Sequence, residues 1–299
     1  MKMISYAAFG GPEVLQLVDA PEPHAGPGEV RIAVRAAGVN PVDWRFRSGQ
    51  MQQLSPVTLP AGVGQDAAGI VDQVGTGVSS VGVGDAVFGV GAHTYAEHAV
   101  LSAWAPVPVG LTFDEAAGYP SVVETALRVL REIDARPGQQ LLVSGAAGGV
   151  GSAVLQIARA RGIAVVGTAS AANLEYVRSL GARATTYDDG WVARVRGLGP
   201  FDAALDLAGA GVIRELAGLT GDASRVLSIA DLDAPLLGAR FTGGAGSMAD
   251  ALAEATRLIA AGALRIPVAK TYELAAAAAA HADSEAGHTR GRRAIVVGS

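Results

Sequence analysis

The chain has 299 residues, of which 50% are hydrophobic and 17% are charged, and its formal net charge is −5. This composition excludes a disordered chain, and the length is typical of about two domains with separate cores. The acidic balance argues against nucleic-acid and anionic-membrane surfaces, and the absence of cysteine excludes disulfides, thiolate nucleophiles and sulfur-based zinc sites.

The first part of the chain consists of short apolar runs separated by Pro and Gly. It begins without the apolar segment of a signal peptide, and no stretch of the sequence predicts a membrane span, so a cytoplasmic protein is expected. Alternating or β-branched runs predict strands at residues 29–36, 69–74 and 85–90. Thr112, with Glu115 three residues later, forms a capping-box signature for a helix start. A β-rich domain is therefore predicted for residues 1–113.

From residue 114 to residue 264, strands and helices alternate. Helices are predicted at residues 122–133, 151–161 and 173–180, and strands at 140–144, 164–169, 184–187, 201–207, 225–230 and 239–243. Repeated strand–helix units predict a parallel, doubly wound sheet with right-handed crossovers. The tail returns to β character at residues 266–272 and 293–297, around an alanine-rich helix expected on the surface. Residues 265–299 are expected to pair back into the first domain, which makes 114–264 an insertion.

A glycine-rich run joins the strand at 140–144 to the helix that follows it. Gly145 can adopt the positive φ of a sharp turn, Gly148 lets a pyrophosphate approach the backbone, and Gly151 permits close packing of helix on strand. The intervening Ala147, Gly149 and Val150 complete the turn into the helix, whose free N–H groups face the anion. Glycines alone would equally suit an ordinary loop, but their place between strand and helix predicts a dinucleotide-binding site.

The end of the strand at 164–169 indicates which dinucleotide is preferred. NAD enzymes usually place an Asp or Glu there, on the ribose 2′-hydroxyl, but residues 167–173 contain no carboxylate. Ser170 and Asn173 can donate hydrogen bonds to a 2′-phosphate, so the predicted cofactor is NADPH. The basic partner expected for that phosphate is missing from this loop, and Ser170 has an alternative role as a helix N-cap.

Several motifs resemble the medium-chain dehydrogenase/reductase superfamily, and specifically its zinc-free quinone oxidoreductase branch. They lie at residues 36–43, 64–69, 84–89, 145–151, 201–209 and 287–292. The resemblance covers nearly the whole chain and implies an α/β fold, a Rossmann doubly wound parallel sheet plus a β-rich GroES-like catalytic domain. It also implies a homodimer, for which the strand end at residues 241–244 offers a sheet edge.

No metal site is expected. In zinc-dependent members of the superfamily a cysteine lies near the position of Asn40 and a histidine near that of Gln65, and this chain has neither ligand at those positions. His93 and His98 lie five residues apart around Tyr95 in a strand-like run, which predicts opposite faces.

The resemblance further implies which residues surround the cofactor. It places Asn40, Asp43, Thr125 and the strand end Ser228, Ile229 and Ala230 near the nicotinamide, and Arg292 near the cofactor's phosphates. Each has a structural alternative: Asn40 as a cap before Pro41, Asp43 as a helix initiator and Arg292 as a solvated charge. Asp66 and Asp85 lie between glycines in turn-like contexts and are interpreted as structural.

Without a metal to polarise a carbonyl, a conjugated acceptor is the easier hydride acceptor, because its charge spreads onto oxygen. A quinone or an enone is therefore the expected substrate. Its oxygen could be met by the Asn40 amide, the Tyr95 hydroxyl or water, and Trp44 has a flat face that could stack on a quinone or belong to the core. Two alternatives stay open: an enoyl-thioester or alkenal double-bond reductase, and a non-catalytic NADPH-binding structural or regulatory protein.

Overall fold

The computed structural model describes residues 1–244 and 246–298. The strands in chain order are β1 (Lys2–Tyr6), β2 (Gln16–Asp19), β3 (Val30–Val39), β4 (Ala61–Gly62), β5 (Asp66–Val74), β6 (Ala86–Gly91), β7 (His98–Pro106), β8 (Gln140–Ser144), β9 (Ala164–Ala169), β10 (Arg183–Thr186), β11 (Ala203–Asp206), β12 (Val226–Ser228), β13 (Arg240–Phe241), β14 (Val268–Glu273) and β15 (Arg292–Val296). The α-helices are α1 (Pro41–Arg47), α2 (Phe113–Ala116), α3 (Pro120–Glu132), α4 (Gly149–Ala160), α5 (Leu174–Ser179), α6 (Trp191–Arg196), α7 (Ile213–Thr220), α8 (Met248–Ala260) and α9 (Ala277–Glu285). Across the described ranges, none of these helices is long and apolar enough to cross a membrane.

The chain forms two compact units. The first comprises Met1–Ser121, Ser247–Ala261 and Ile266–Ser299, and the second comprises Val122–Gly246 and Gly262–Arg265. These ranges differ from the predicted ones mainly at α8, which is grouped with the first unit rather than with the inserted segment.

The first unit is β-rich. One six-stranded sheet has the order β14-β15-β3-β5-β6-β7, and an additional pairing of β3 with β7 closes β3, β5, β6 and β7 into a ring. A smaller sheet has the order β2-β1-β4. In the first half of β3 the side chains alternate, with Val30, Ile32 and Val34 buried, because one face of the strand packs into the core.

The C-terminal strand completes this unit, as the sequence predicts. β15 pairs antiparallel with β3, with Ala294 opposite Gly38, and parallel with β14. Ile295 is fully buried in the same apolar core as Val30 and Ile32. The last strand therefore belongs to the sheet built by the beginning of the chain.

The second unit contains a six-stranded sheet in the order β10-β9-β8-β11-β12-β13, in which all neighbouring strands are parallel. The order reverses between β8 and β11, which is the switch point of a doubly wound fold. The predicted parallel sheet is confirmed, although several strands, such as β12, are shorter than expected. β8 and β9 have the predicted bounds.

The alanine-rich helix lies at the surface as predicted, with Ala279 and Ala282 exposed, but one face of it is buried. α9 begins at Ala277 and buries Ala277, Ala280 and His281. Small side chains let the helix approach its neighbours closely, and this packing is not visible in a run of identical residues.

Because β15 lies in the core of the first unit, shortening one of its buried side chains should destabilise the protein. Ile295→Ala should lower the free energy of unfolding by about 3 kcal/mol, because it leaves a cavity in a closely packed core. Val109→Ala should change it by less than about 0.5 kcal/mol, because Val109 is fully exposed. Urea denaturation monitored by circular dichroism measures both values. Equal effects of the two substitutions would contradict the position of β15 in the core.

Candidate active site

The glycine-rich turn of the second unit lies between β8 and α4, as the sequence predicts. Gly145 has φ +81°, and a Cβ added at Gly151 would lie 2.3 Å from the carbonyl oxygen of Gly145. Gly148 is the N-cap of α4 and provides no side-chain cap. A Cβ at Gly148 would meet only the Gly145 oxygen, at 3.6 Å. The turn thus needs glycine at 145 and 151 for its own geometry, whereas Gly148 keeps the start of the helix open to an anion.

A buried carboxylate organises the neighbouring strand ends. Asp206, at the end of β11, accepts hydrogen bonds from the backbone N–H groups of Ala208 (3.2 Å) and Gly209 (3.0 Å). It also accepts one from the Ser228 hydroxyl at the end of β12 (2.8 Å). Ala208 lies against the glycine turn, since a Cβ added at Gly145 would be 3.2 Å from the Ala208 Cβ. Asp206 was part of a family motif in the sequence, but its role in holding this edge of the sheet becomes visible only in the structure.

The predicted strand-end residues 228–230 form one local network. The Ser228 hydroxyl accepts hydrogen bonds from the backbone N–H groups of Ala230 (3.1 Å) and Asp231 (2.9 Å), and the Ile229 N–H donates to the Asp206 carbonyl (3.1 Å). The Ser228 hydroxyl is therefore fixed by the protein, which leaves the backbone after it as the group that can face a ligand.

Ser170 and Asn173 lie together at the end of β9. Ser170 is the N-cap of a short 3₁₀ turn at Ala171–Asn173, without a side-chain cap hydrogen bond. Its hydroxyl accepts a hydrogen bond from the Asn173 side-chain amide (3.1 Å). The two side chains predicted to recognise a 2′-phosphate are thus brought into contact.

Thr125 belongs to a network on α3 that the sequence analysis did not identify. Glu124 and Arg128 form a buried ion pair (2.9 Å), and Arg128 donates to the Thr242 hydroxyl (2.7 Å) and, at 3.3 Å, to the Thr125 hydroxyl. Glu124 also accepts the backbone N–H of Gly246 (2.6 Å). The spacing of Glu124 and Arg128 is that of helical neighbours, but only the tertiary structure shows that the pair is buried and holds the segment after β13.

In the first unit, Asn40 and Asp43 lie at the start of α1. Asn40 is the N-cap, and the two residues form a capping box in which the Asn40 backbone N–H donates to Asp43 Oδ2 (2.8 Å). The Tyr95 hydroxyl donates to the same oxygen (2.9 Å). Asp43 Oδ1 is buried and has no hydrogen-bond partner in the described chain. The structure thus brings together the three residues predicted to be catalytic, Asn40, Asp43 and Tyr95.

Arg292 and Asp66 extend this arrangement into a buried polar cluster. Arg292 donates to the Asn40 side-chain oxygen (2.6 Å) and lies 3.8 Å from Asp66 Oδ2, and the Asn40 amide donates to the same Asp66 oxygen (3.0 Å). Asp66 also accepts hydrogen bonds from the backbone and side chain of Ser121. The observed contacts of Arg292 are with Asn40 and Asp66, so its predicted approach to the cofactor's phosphates stays a prediction. Asp85, by contrast, accepts the Gly82 N–H in a local turn.

Burial and neighbouring charges set the proton affinities of the cluster. Burial raises the pKa of Asp43 to about 7, with the negative charge of Asp66 adding to the effect. Burial also raises the pKa of Asp66, which Arg292 opposes. The pKa of Tyr95 lies well above its ordinary value, because of burial and the adjacent Asp43, so its hydroxyl stays protonated as a donor. Asp43 is therefore expected to titrate near neutral pH.

A cavity of about 310 Å³ in the first unit borders Asp43. Other residues that line it are Tyr6, Phe46, Val57, Gln65 and His93. Phe46 lines this cavity, whereas Trp44 is not among its lining residues in the described chain. The side chain available to stack on an aromatic ligand is therefore Phe46 and not Trp44, which the sequence analysis considered. The described residues contain no group of three or more His, Asp or Glu side chains that could hold a metal ion.

Comparison with known proteins identifies the family. Residues 26–110 match the family described as "Alcohol dehydrogenase GroES-like domain" and residues 180–295 match "Zinc-binding dehydrogenase". A mycobacterial protein, Rv1454c, solved in complex with NADPH, is 30% identical and superposes with a TM-score of 0.86 over 99% of this chain and 100% of that one. The chain belongs to the quinone oxidoreductase group of the medium-chain dehydrogenase/reductase superfamily.

Two curated proteins are similar to parts of this chain. Quinone oxidoreductase from Rattus norvegicus is 43% identical over 179 residues, covering 56% of this chain and 53% of its own length. Pikromycin polyketide synthase component PikAII from Streptomyces venezuelae is 41% identical over 208 residues, covering 69% of this chain and 5% of its own length. The chain thus spans about half the length of the curated quinone oxidoreductase and a small part of the synthase.

Because folding raises the pKa of Asp43, the stability of the protein should depend on pH. An acid whose pKa is raised by folding binds more protons in the folded than in the unfolded protein, so its contribution to stability falls as pH rises. Between about pH 4, where an unfolded Asp titrates, and pH 7, the wild-type protein should lose stability relative to Asp43→Asn at up to about 1.4 kcal/mol per pH unit.

Asparagine is the matched control because its side-chain oxygen can still accept from Asn40 and Tyr95. Urea unfolding of both proteins at several pH values gives the difference. Parallel stability curves from pH 4 to pH 7 would contradict the perturbed carboxyl.

Proposed function

We propose that the chain is an NADPH-dependent oxidoreductase that delivers hydride to a quinone or to another conjugated carbonyl acceptor. Membership of the quinone oxidoreductase group supports this activity, and the similar mycobacterial protein binds NADPH. Within the chain, the proposal rests on Asp43. Its carboxyl has a pKa of about 7 and borders a cavity large enough for a small aromatic acceptor.

The second unit has the residues that a dinucleotide requires. The backbone of residues 145–151, including Ala147, Gly149 and Val150, would hold the pyrophosphate, because the open N-cap at Gly148 leaves the first helical N–H groups available to an anion. Ser170 and Asn173 would hold the 2′-phosphate, and Thr125 and the backbone of residues 228–230 remain proposed contacts. When bound, the reduced cofactor supplies the hydride.

The first unit would supply the proton. Reduction of a carbonyl to a hydroxyl requires a proton on oxygen as well as a hydride. Asp43 Oδ2 already accepts hydrogen bonds from the Asn40 N–H and the Tyr95 hydroxyl, so we assign the proton of the neutral carboxyl to Oδ1, which has no partner among the described residues. In this proposal Asp43 is the proton donor at the cavity.

Asn40 and Tyr95 would then act by positioning Asp43. The Asn40 amide donates to Asp66 and its oxygen accepts from Arg292, so both ends of this side chain are engaged within the protein. Tyr95 is fully buried and directs its hydroxyl to Asp43. Neither side chain is free to meet an acceptor oxygen directly in this arrangement.

A second candidate function is reduction of an enoyl-thioester double bond. The 41% identity with the polyketide synthase component over 69% of this chain favours it. Both candidates need the same hydride and proton sources, because each adds hydride to a carbon conjugated with a carbonyl. They differ in the acceptor, which for the synthase-like reaction carries a long thioester arm.

The predicted homodimer and cytoplasmic location also remain proposals. β13 lies at the end of the strand order in the second unit's sheet, so it has the edge that sheet extension between two copies would use.

Gly148→Asp should weaken NADPH binding by more than about tenfold, because a carboxylate beside the pyrophosphate introduces like-charge repulsion. Aspartate is a favourable N-cap, so the stability of α4 should be retained. Gly148→Asn is the matched control, since it has the same size and capping ability without the charge. Fluorescence titration with NADPH measures binding, and equal affinity of the Asp and Asn variants would overturn the pyrophosphate site.

A panel of acceptors distinguishes the two candidate reactions. With NADPH, 1,4-benzoquinone should be reduced with a kcat/KM at least about tenfold above that for crotonyl-thioester, because a cavity of about 310 Å³ has room for a small ring. NADPH oxidation followed at 340 nm gives both values. A preference for the thioester would favour the synthase-like function, and tight NADPH binding without turnover of any acceptor would contradict both.

A further inference from the structure

His93 occupies an unusual position in the first unit. It lines the 310 Å³ cavity together with Asp43, and its backbone has φ +59°, in the left-handed region. Residues other than glycine adopt this region infrequently, and when they do the conformation is held by the surrounding structure, often at functional sites. The sequence predicts a strand-like run through His93, but β7 begins only at His98, so that prediction is wrong at this position.

The segment opposite His93 is shaped to accommodate it. A Cβ added at Gly62 would lie 2.6 Å from Cγ and 2.7 Å from Cβ of His93, so only glycine leaves room for the imidazole. The two segments are joined by backbone hydrogen bonds from Tyr95 N to Val63 O (3.0 Å) and from Gly91 N to Gln65 O (2.9 Å). The position of His93 at the cavity is therefore fixed from both sides.

His93 and Tyr95 have different surroundings although only one residue separates them. Tyr95 is fully buried and its hydroxyl is bonded to Asp43, whereas His93 is exposed at the cavity and forms no hydrogen bond with the described residues. Partial burial lowers the pKa of His93, so at neutral pH the ring is uncharged, with one N–H donor and one acceptor nitrogen. A neutral imidazole suits a hydrogen bond to a carbonyl oxygen.

We propose that His93 is a specificity-determining residue that donates an imidazole N–H to the carbonyl oxygen of a planar aromatic ketone or quinone bound in this cavity. Tyr6 and Phe46 provide aromatic side chains for the ring, and Val57 adds apolar contact. A cavity of about 150 Å³ holds benzene, so the volume observed here has room for one or two rings. The inference rests on the proposed function in taking this cavity as the acceptor site.

The test uses a ligand that binds without being reduced. Acetophenone has a planar ring and one carbonyl, and ethylbenzene has the same shape without the hydrogen-bond acceptor. Titration of the 15N-labelled protein with each, without NADPH, should shift the imidazole resonances of His93 with acetophenone. His93→Phe should weaken acetophenone binding roughly fivefold, and ethylbenzene binding by less than about twofold, because only the ketone loses a hydrogen bond.

Two further variants separate hydrogen bonding from backbone strain. His93→Asn keeps an N–H donor and tolerates the left-handed conformation, so it should restore most of the preference for the ketone. His288→Phe is the matched control, since His288 also has a positive φ (+60°) and does not line the cavity. It should leave the binding of both ligands unchanged.

Equal weakening of both ligands in His93→Phe, or no weakening of either, would overturn the role of His93. This outcome is independent of the proposed oxidoreductase activity. If NADPH is not oxidised by any acceptor but acetophenone binding still depends on His93, the proposed function fails and the carbonyl site stands.

Discussion

The first unit depends on one buried interaction, the contact of Arg292 with Asn40 and Asp66. Arg292 opens β15, Asn40 follows β3 and Asp66 opens β5, so the guanidinium links three strands whose residues lie as far as 252 positions apart in the chain. A buried guanidinium without a carboxylate would be strongly destabilising, and so would a buried carboxylate without a cation. The cluster therefore requires the C-terminal strand to lie against the beginning of the chain.

The same cluster sets the chemistry of Asp43. One cation, Arg292, faces two buried carboxyls, and its close partners are Asn40 and Asp66. Asp43 keeps two hydrogen-bond donors on one oxygen and none on the other, and its pKa rises to about 7. An interaction that stabilises the fold thus also leaves one carboxyl able to exchange a proton near neutral pH. In the second unit, Asp206 is also a buried carboxylate that joins separate segments. It accepts hydrogen bonds from the ends of two neighbouring strands beside the glycine turn.

Much of the candidate site could be predicted from short-range signals. The glycines at 145, 148 and 151 are spaced as the strand-to-helix turn requires, and the Asn40 and Asp43 capping box depends only on a three-residue spacing. Residues that act through distant partners could not be predicted in the same way. The sequence analysis expected Arg292 near the cofactor's phosphates or as a solvated charge, expected His93 in a strand-like run, and did not identify Glu124 and Arg128. In the structure, each of these residues contacts residues that are distant in the chain.

The sequence by itself determined the alternation of strands and helices, the doubly wound sheet, the glycine turn and the acid-free end of β9. These features follow from hydrophobic periodicity, turn chemistry and residue spacing, which act over a few neighbouring residues. Only the tertiary structure decided that α9 is partly buried, that the Tyr95 hydroxyl reaches Asp43, and that His93 faces the cavity through a left-handed backbone. Burial, buried charge pairing and backbone strain depend on which distant residues the fold brings nearby. A local sequence pattern does not show which residues these are.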